Sequence, residues 1–199
     1  MAVRPCASVD PNREALPMVA RIGLRRARET VRPHLAVLGP GVSAVVDAVG
    51  GWIFDRGSAG WAVTVIVAEA SDSRPLRILG ARCVDLETVL AETEQGPEPH
   101  TLAVCVDLYR NDHRVREGVL GLLECRRVEV TMWGGAWPAE LDGHVNHARH
   151  HLSRAALAFK TQALRAADAA SDSPAAVETF RTAGWPEYRP GGTDLMPSG

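Results

Sequence analysis

The chain has 199 residues, 46% hydrophobic and 23% charged, which fits one core of ordinary size with segments to spare and excludes a disordered polypeptide. Its formal net charge of −2 offers no general attraction to nucleic acid or an anionic membrane. Four cysteines, Cys6, Cys83, Cys105 and Cys125, form no C-x-x-C pair, so neither a zinc knuckle nor a dithiol redox site is indicated.

Residues 1–17 read as a flexible leader interrupted by Pro5, Pro11 and Pro17, with no continuous apolar stretch of the signal-peptide kind. Residues 18–32 follow as a short basic helix ended by Pro33. Residues 40–60 carry Val42, Val45, Val46, Val49 and Ile53 at helical intervals, predicting a helix through Arg56. Its Gly50-Gly51 pair weakens the helix and points to a close approach by another backbone. "GWAVTVIVAEA" is apolar on both faces, as a strand covered on two sides would be.

A second strand is expected over 75–82 and an acidic helix capped by Asp85 after it. A third strand follows over 100–109, a helix over 112–126 with Asp112 as its N-cap, and a fourth strand over 127–134. The longest helix is expected from Asp142 to about Ala169, burying Val145, Ala148, Leu152, Ala155, Ala156, Phe159 and Ala163 on one stripe. Residues 171–199, rich in Pro, Gly and Ser, read as a tail, part of which Phe180, Trp185 and Tyr188 could anchor to the body. Strands alternating with helices predict a single three-layer α/β domain over residues 18–170. It would have a mostly parallel four-stranded sheet, Rossmann-like, and a long C-terminal helix.

Charge is unevenly spread. Residues 1–35 set seven arginines against Asp10, Glu14 and Glu29, a net of +4, whereas Asp85, Glu87, Glu92, Glu94 and Glu98 give residues 85–98 a net of −5. These segments can attract one another within or between chains. The basic segment lacks the interleaved aromatics and lysines of a nucleic-acid arm.

Three groups of residues are candidates for chemistry. In the first, "HLAVLGPGVSA" (34–44), Gly39, Gly41 and Ala44 stand in a G-x-G-x-x-A pattern and Glu69 closes the following strand. This resembles the dinucleotide-binding fingerprint of Rossmann domains. The resemblance implies glycines that admit a pyrophosphate at a helix N-terminus and Glu69 on a ribose hydroxyl. It requires residues 34–38 to be a strand; the alternative, which we prefer on sequence, is a helix–turn–helix linker through Gly39-Pro40-Gly41.

The second group is positional, since ligands of open α/β sheets bind outside the carboxyl ends of the strands. Asp72 and Arg74, Asp107, Arg110 and His113, with Trp133 and Gly134, fall at the expected exits. An arginine there suits a phosphate or carboxylate, and Asp107 and His113 could share a proton. The third group is "DGHVNHARHH" (142–151), with four of the seven histidines. On a helix His144, His147 and His151 share one flank, and His147 and His151 have the i, i+4 spacing of two metal ligands. A further ligand from elsewhere would be needed.

No nucleophile–base constellation stands out. The sequence therefore favours a small cytoplasmic non-enzymatic interaction or regulatory module, binding a protein partner or its own copy. The alternatives are an anionic small molecule, such as a nucleotide, at the strand exits, or a metal on the histidine-rich helix. No cofactor is assigned, and neither nucleic acid nor membrane is an expected partner.

Overall fold

The computed structural model describes residues 32–69, 71–91, 99–125, 128–135, 137–141, 146–168, 174–183 and 196–197. The leader, nearly all of the basic helix, residues 92–98 of the acidic segment and most of the tail lie outside them.

Strand β1, His34–Gly41, runs directly into helix α1, Val42–Ser58. Strand β2, Ala62–Glu69, is followed by helix α2, Arg74–Ile78, strand β3, Arg82–Asp85, and helix α3, Leu86–Ala91. Strand β4, Thr101–Cys105, leads into helices α4, Val106–Asn111, and α5, His113–Cys125, then strand β5, Glu129–Trp133. A 3-10 turn at Ala139–Leu141 precedes strand β6, Asn146–His151, helix α6, Arg154–Ala166, and strands β7, Val177–Ala183, and β8, Met196–Pro197.

All eight strands join one sheet in the order β3-β2-β1-β4-β5-β7-β6-β8. Strands β1 to β5 are mutually parallel, β7 is antiparallel to both β5 and β6, and β8 pairs with two residues of β6. The α/β class and mostly parallel sheet are as expected. The four-stranded Rossmann-like sheet is not: seven strands and the two-residue β8 replace it. The extra strands come from β6, expected as helix, and from β7, inside the segment expected as tail.

Burial explains the elements read correctly. Val42, Val45, Val46, Val49 and Ile53 are all buried, one face of α1 against the sheet. Val63, Val65, Ile66 and Val67 of β2 are buried on both faces, because helices cover each side. Helices α1, α2 and α6 pack on one another as one layer, while α4 packs with α5. Trp52 and Trp61 lock α1 to β2, with the buried Arg56 guanidinium 5.4 Å and 4.5 Å from their ring centroids.

Several expectations fail locally, among them the strand expected over 100–109, which ends at Cys105 where helix α4 takes over. Residues 75–82 are not one strand: Pro75 occupies the first turn of α2, where its missing N–H costs nothing, and only Arg82 begins a strand. The helix expected from Asp142 starts twelve residues later, at Arg154, where the Ser153 hydroxyl accepts the Ala156 amide 3.0 Å away as N-cap. Phe159, expected in the buried stripe, is 44% exposed and stacks on Phe54 at 4.4 Å between centroids.

The Gly50-Gly51 pair does mark a close approach, by side chains rather than backbone. A Cβ at Gly51 would collide with Leu152 and lie 3.1 Å from Glu178 Oε1. The Gly51 and Trp52 amides donate to the two Glu178 oxygens at 2.9 Å and 2.8 Å.

Candidate functional site

The parallel strands end at a common edge. Between β1 and β4 the chain changes direction through the sheet, with β2 and β3 on one side and β5 on the other. In open α/β sheets such a reversal is where ligands are commonly taken. From β1 this edge receives Gly39 to Gly41, from β2 Glu69, from β4 Cys105, and from β5 Trp133 to Gly135. Register sets Gly41 beside Glu69 and Cys105 beside Trp133.

Residues 34–38 are strand, so the helix–turn–helix linker is corrected. Gly39 and Gly41 both belong to β1, and α1 begins at the next residue, leaving no glycine loop between strand and helix. A Cβ on Gly41 would meet nothing within 4 Å, so Gly41 is not required by packing. At Gly39 a Cβ would collide with Val45 Cγ2 and come 3.2 Å from Trp133 Cζ2. The missing side chain at Gly39 therefore seats an indole of the protein itself. Ala44 and Glu69 are exposed at this edge.

Asp107 stands in the first turn of α4, exposed, one helix position after Val106. Gly135, at φ +50°, passes so close that a Cβ there would lie 2.7 Å from Asp107 Oδ1 and 3.2 Å from Val106 Cγ1. Gly134 at φ +77° sits above Cys105, whose Sγ would be 3.7 Å from its Cβ. Only glycine holds that left-handed backbone cheaply, and the main chain thereby lies open beside the carboxylate. Burial pushes the Cys105 thiol up, against backbone hydrogen bonds from Leu108 and Asp107. A thiol held protonated in that way is packing, not a nucleophile.

Most other acids of this edge are committed, although Glu69 at the end of β2 makes no side-chain hydrogen bond among the described residues. Asp72 Oδ1 accepts the Arg74 amide at 2.9 Å, and Asp85 Oδ2 accepts the Thr88 amide at 3.0 Å, as its expected capping role requires. Asp112 caps α5 through the Arg114 amide and also holds the Arg114 guanidinium at 2.6 Å, which reaches on to Glu87 at 2.7 Å. Glu140 accepts from the buried Tyr109 hydroxyl at 2.6 Å and from Arg116. Burial and that hydrogen bond push the Tyr109 phenol up to about 12. Asp107 makes no side-chain hydrogen bond among the described residues.

Of the expected exit residues, Asp107, Trp133 and Gly134 are brought together. Arg110 and His113 are exposed farther along α4 and at the start of α5, and no hydrogen bond joins His113 to Asp107. Asp72 and Arg74 stand beyond β2, at the entry of α2.

The histidine run is a strand, not a helix flank. His147, Arg149 and His151 point to one exposed face and Ala148 and His150 to the other, which is buried. His147 and His151 are therefore about 13 Å apart along the strand, too far to share an ion. His144 lies outside the described residues. His150 instead bonds Asp55 at 2.8 Å, and Ser153 donates its hydroxyl to the same carboxylate at 2.6 Å. Among the described residues no three of His, Cys, Asp and Glu come together as a metal would need.

Sequence reasoning missed Arg181 and Trp137. The Arg181 guanidinium stands 4.8 Å from the Trp137 ring centroid, and register places Arg181 between Met132 and His147. The alternation of "VETFRTA" in β7 was the available signal, hidden in a segment otherwise rich in turn formers.

Together the mixed, mostly parallel sheet and the helices on both its faces define an α/β fold. Solved structures share this fold. The A40926 pseudoaglycone deacetylase Dbv21 is 16% identical, with a TM-score of 0.51, covering 75% of this chain and 96% of its own. The zinc-inhibited form of teicoplanin deacetylase Orf2 is 10% identical, with a TM-score of 0.52, covering 83% and 98%. A deacetylase–teicoplanin complex gives 10% identity and a TM-score of 0.51 over the same shares. No family model and no curated protein sequence matches the chain.

These likenesses correct the expectation of a non-enzymatic interaction or regulatory module, because the proteins that share the fold are enzymes. One of them, Orf2, is a zinc-inhibited form. The described residues bring no three His, Cys, Asp or Glu donors together to hold such an ion. Among the described residues no helix is long and apolar enough to cross a membrane.

Proposed function

We propose that this chain is a small-molecule enzyme that removes an acyl group by hydrolysis at the carboxyl edge of its sheet. One observation carries the reading: Asp107 is a carboxylate without a side-chain hydrogen bond among the described residues. It sits at the β1–β4 reversal against the open backbone of Gly134 and Gly135. The fold shared with deacetylases supports an acylated amine as the substrate class.

In this scheme Asp107 takes a proton from water as the water oxygen bonds to the acyl carbon. The carbon–nitrogen bond then breaks, and the proton passes to the leaving amine nitrogen. Carboxylate and amine are the products. Trp133, seated on Gly39, forms the apolar floor, and Gly134-Gly135 lets the substrate approach the main chain.

The experiment is a mass-spectrometric assay of the purified chain against a panel of N-acetylated amino sugars and acylated glycopeptides, beside Asp107→Asn. Release of the free amine by the wild type and a loss of about 100-fold or more in the variant are expected. Equal turnover by both proteins, or none by the wild type on any acylated amine, overturns the proposal.

A further inference from the structure

Strands β6 and β7 present a second surface that the Asp107 site does not use. The inward face of this pair is filled: Phe180 lies 4.9 Å from Trp52 between ring centroids, Glu178 bonds α1 and His150 bonds Asp55. The opposite face carries His147, Arg149 and His151 from β6, all exposed, and Arg181 from β7, directly across from His147.

Two guanidinium and two imidazole groups thus lie on one face, with no acidic side chain paired to any of them among the described residues. Cations placed side by side across a strand pair repel one another, so the arrangement lowers stability unless an anion sits among them. Several other described cations in this chain are matched. Arg114 and Arg116 are held by carboxylates, Lys160 by Glu178, and Arg56 lies between two indoles.

Trp137 adds to the same face. Its ring backs Arg181 at 4.8 Å, which fixes the guanidinium without using its donors, and its buried Nε1 has no hydrogen-bond partner. A guanidinium held by an aromatic ring keeps its planar fork free for an oxyanion.

We infer that this face is an anion site for the phosphate group of a small molecule, with Arg149 and Arg181 as its principal ligands and His147 and His151 at its margin. A doubly charged group suits two guanidiniums on one face better than a single carboxylate does. Arg181 pairs with Met132 of β5, the residue before Trp133, so the face adjoins the end of β5. The anion site is thus distinct from the Asp107 site, on the same sheet beyond β5. It stands whether or not Asp107 turns a substrate over.

The test is calorimetric titration of the full chain with inorganic phosphate and with pyrophosphate, against chloride at matched ionic strength. Saturable binding of the phosphates and not of chloride is expected. Arg149→Gln, at an exposed position with no partner to lose, should weaken it at least ten-fold, and Arg149→Gln with Arg181→Gln should abolish it. Asp107→Asn should leave it within two-fold. The inference is overturned by the absence of saturable binding, by binding that survives the double substitution in folded protein, or by binding lost in the Asp107 variant.

Discussion

Lys160 Nζ lies 2.7 Å from Glu178 Oε1, with both side chains only 2% exposed, and this lysine is the chain's only one. The pair joins α6 to β7 and, through the Gly51 and Trp52 amides, to the middle of α1. Burial pushes the Glu178 carboxyl up, while Lys160 and the amides pull it back.

Removing one partner strands a buried charge, so Lys160→Met should cost about 3–5 kcal/mol at neutral pH, whereas Lys160→Met with Glu178→Leu should recover much of it. Without Lys160, Glu178 is pushed further up and folds best protonated. Its contribution is then most favourable below its unfolded pKa and is lost as pH rises. Urea unfolding should thus show a larger deficit for Lys160→Met at pH 8 than at pH 4.5. A deficit independent of pH, or a double variant as weak as the single, would refute this account.

The two glycines of β1 should behave oppositely. Gly39→Ala drives a methyl into Val45 and against Trp133, and overpacking of this kind costs about 1–3 kcal/mol. Gly41→Ala, in extended backbone at φ −167° with open space around it, should change thermal stability by less than about 0.5 kcal/mol. Thermal unfolding of the two variants side by side checks the geometry; equal losses would show that β1 does not end as described.

Asp112 is held below the usual carboxylate range, first by the Arg114 guanidinium, against the opposing effect of burial. An acid with a depressed folded pKa stabilises above its unfolded value near 4 and loses that contribution as pH falls through the folded one. Arg114→Gln should accordingly lower the melting temperature at pH 7 and have little effect at pH 2. The comparison is best read against Arg110→Gln, an exposed arginine on α4 without such a partner.

Asp55 gathers His150, the Ser153 amide and the Ser153 hydroxyl at the junction of α1, β6 and α6. Ser153→Ala removes a helix cap and one of these bonds, and a loss of about 1 kcal/mol is expected. Asp55→Asn should cost more, about 1–3 kcal/mol, because His150 stays buried with its partner changed. Combined, the two should lose less than the sum, since they share bonds; strict additivity in a double-mutant cycle would deny the network.

Local pattern decided much of this chain. The valine ladder of α1, the doubly apolar β2, the capping aspartates Asp85 and Asp112 and the short apolar run of β5 are legible because period and end signals agree there. The position of Asp107, Trp133 and Gly134 at a strand exit followed from the same alternation.

Tertiary structure decided the rest. "NHARHH" has no apolar repeat beyond Ala148, and the four residues before Ser153 are as compatible with a helix as with a strand. It is a strand because β7 pairs with it along its whole length and Asp55, ninety-five positions away, satisfies His150. β7 in turn is a strand because β5 offers it an unpaired edge. Periodicity reports which face of a segment is buried against its neighbours in sequence. It cannot report a partner strand or counter-charge that arrives from elsewhere in the chain, and that is where the histidines lost their helix and Arg181 gained its neighbours.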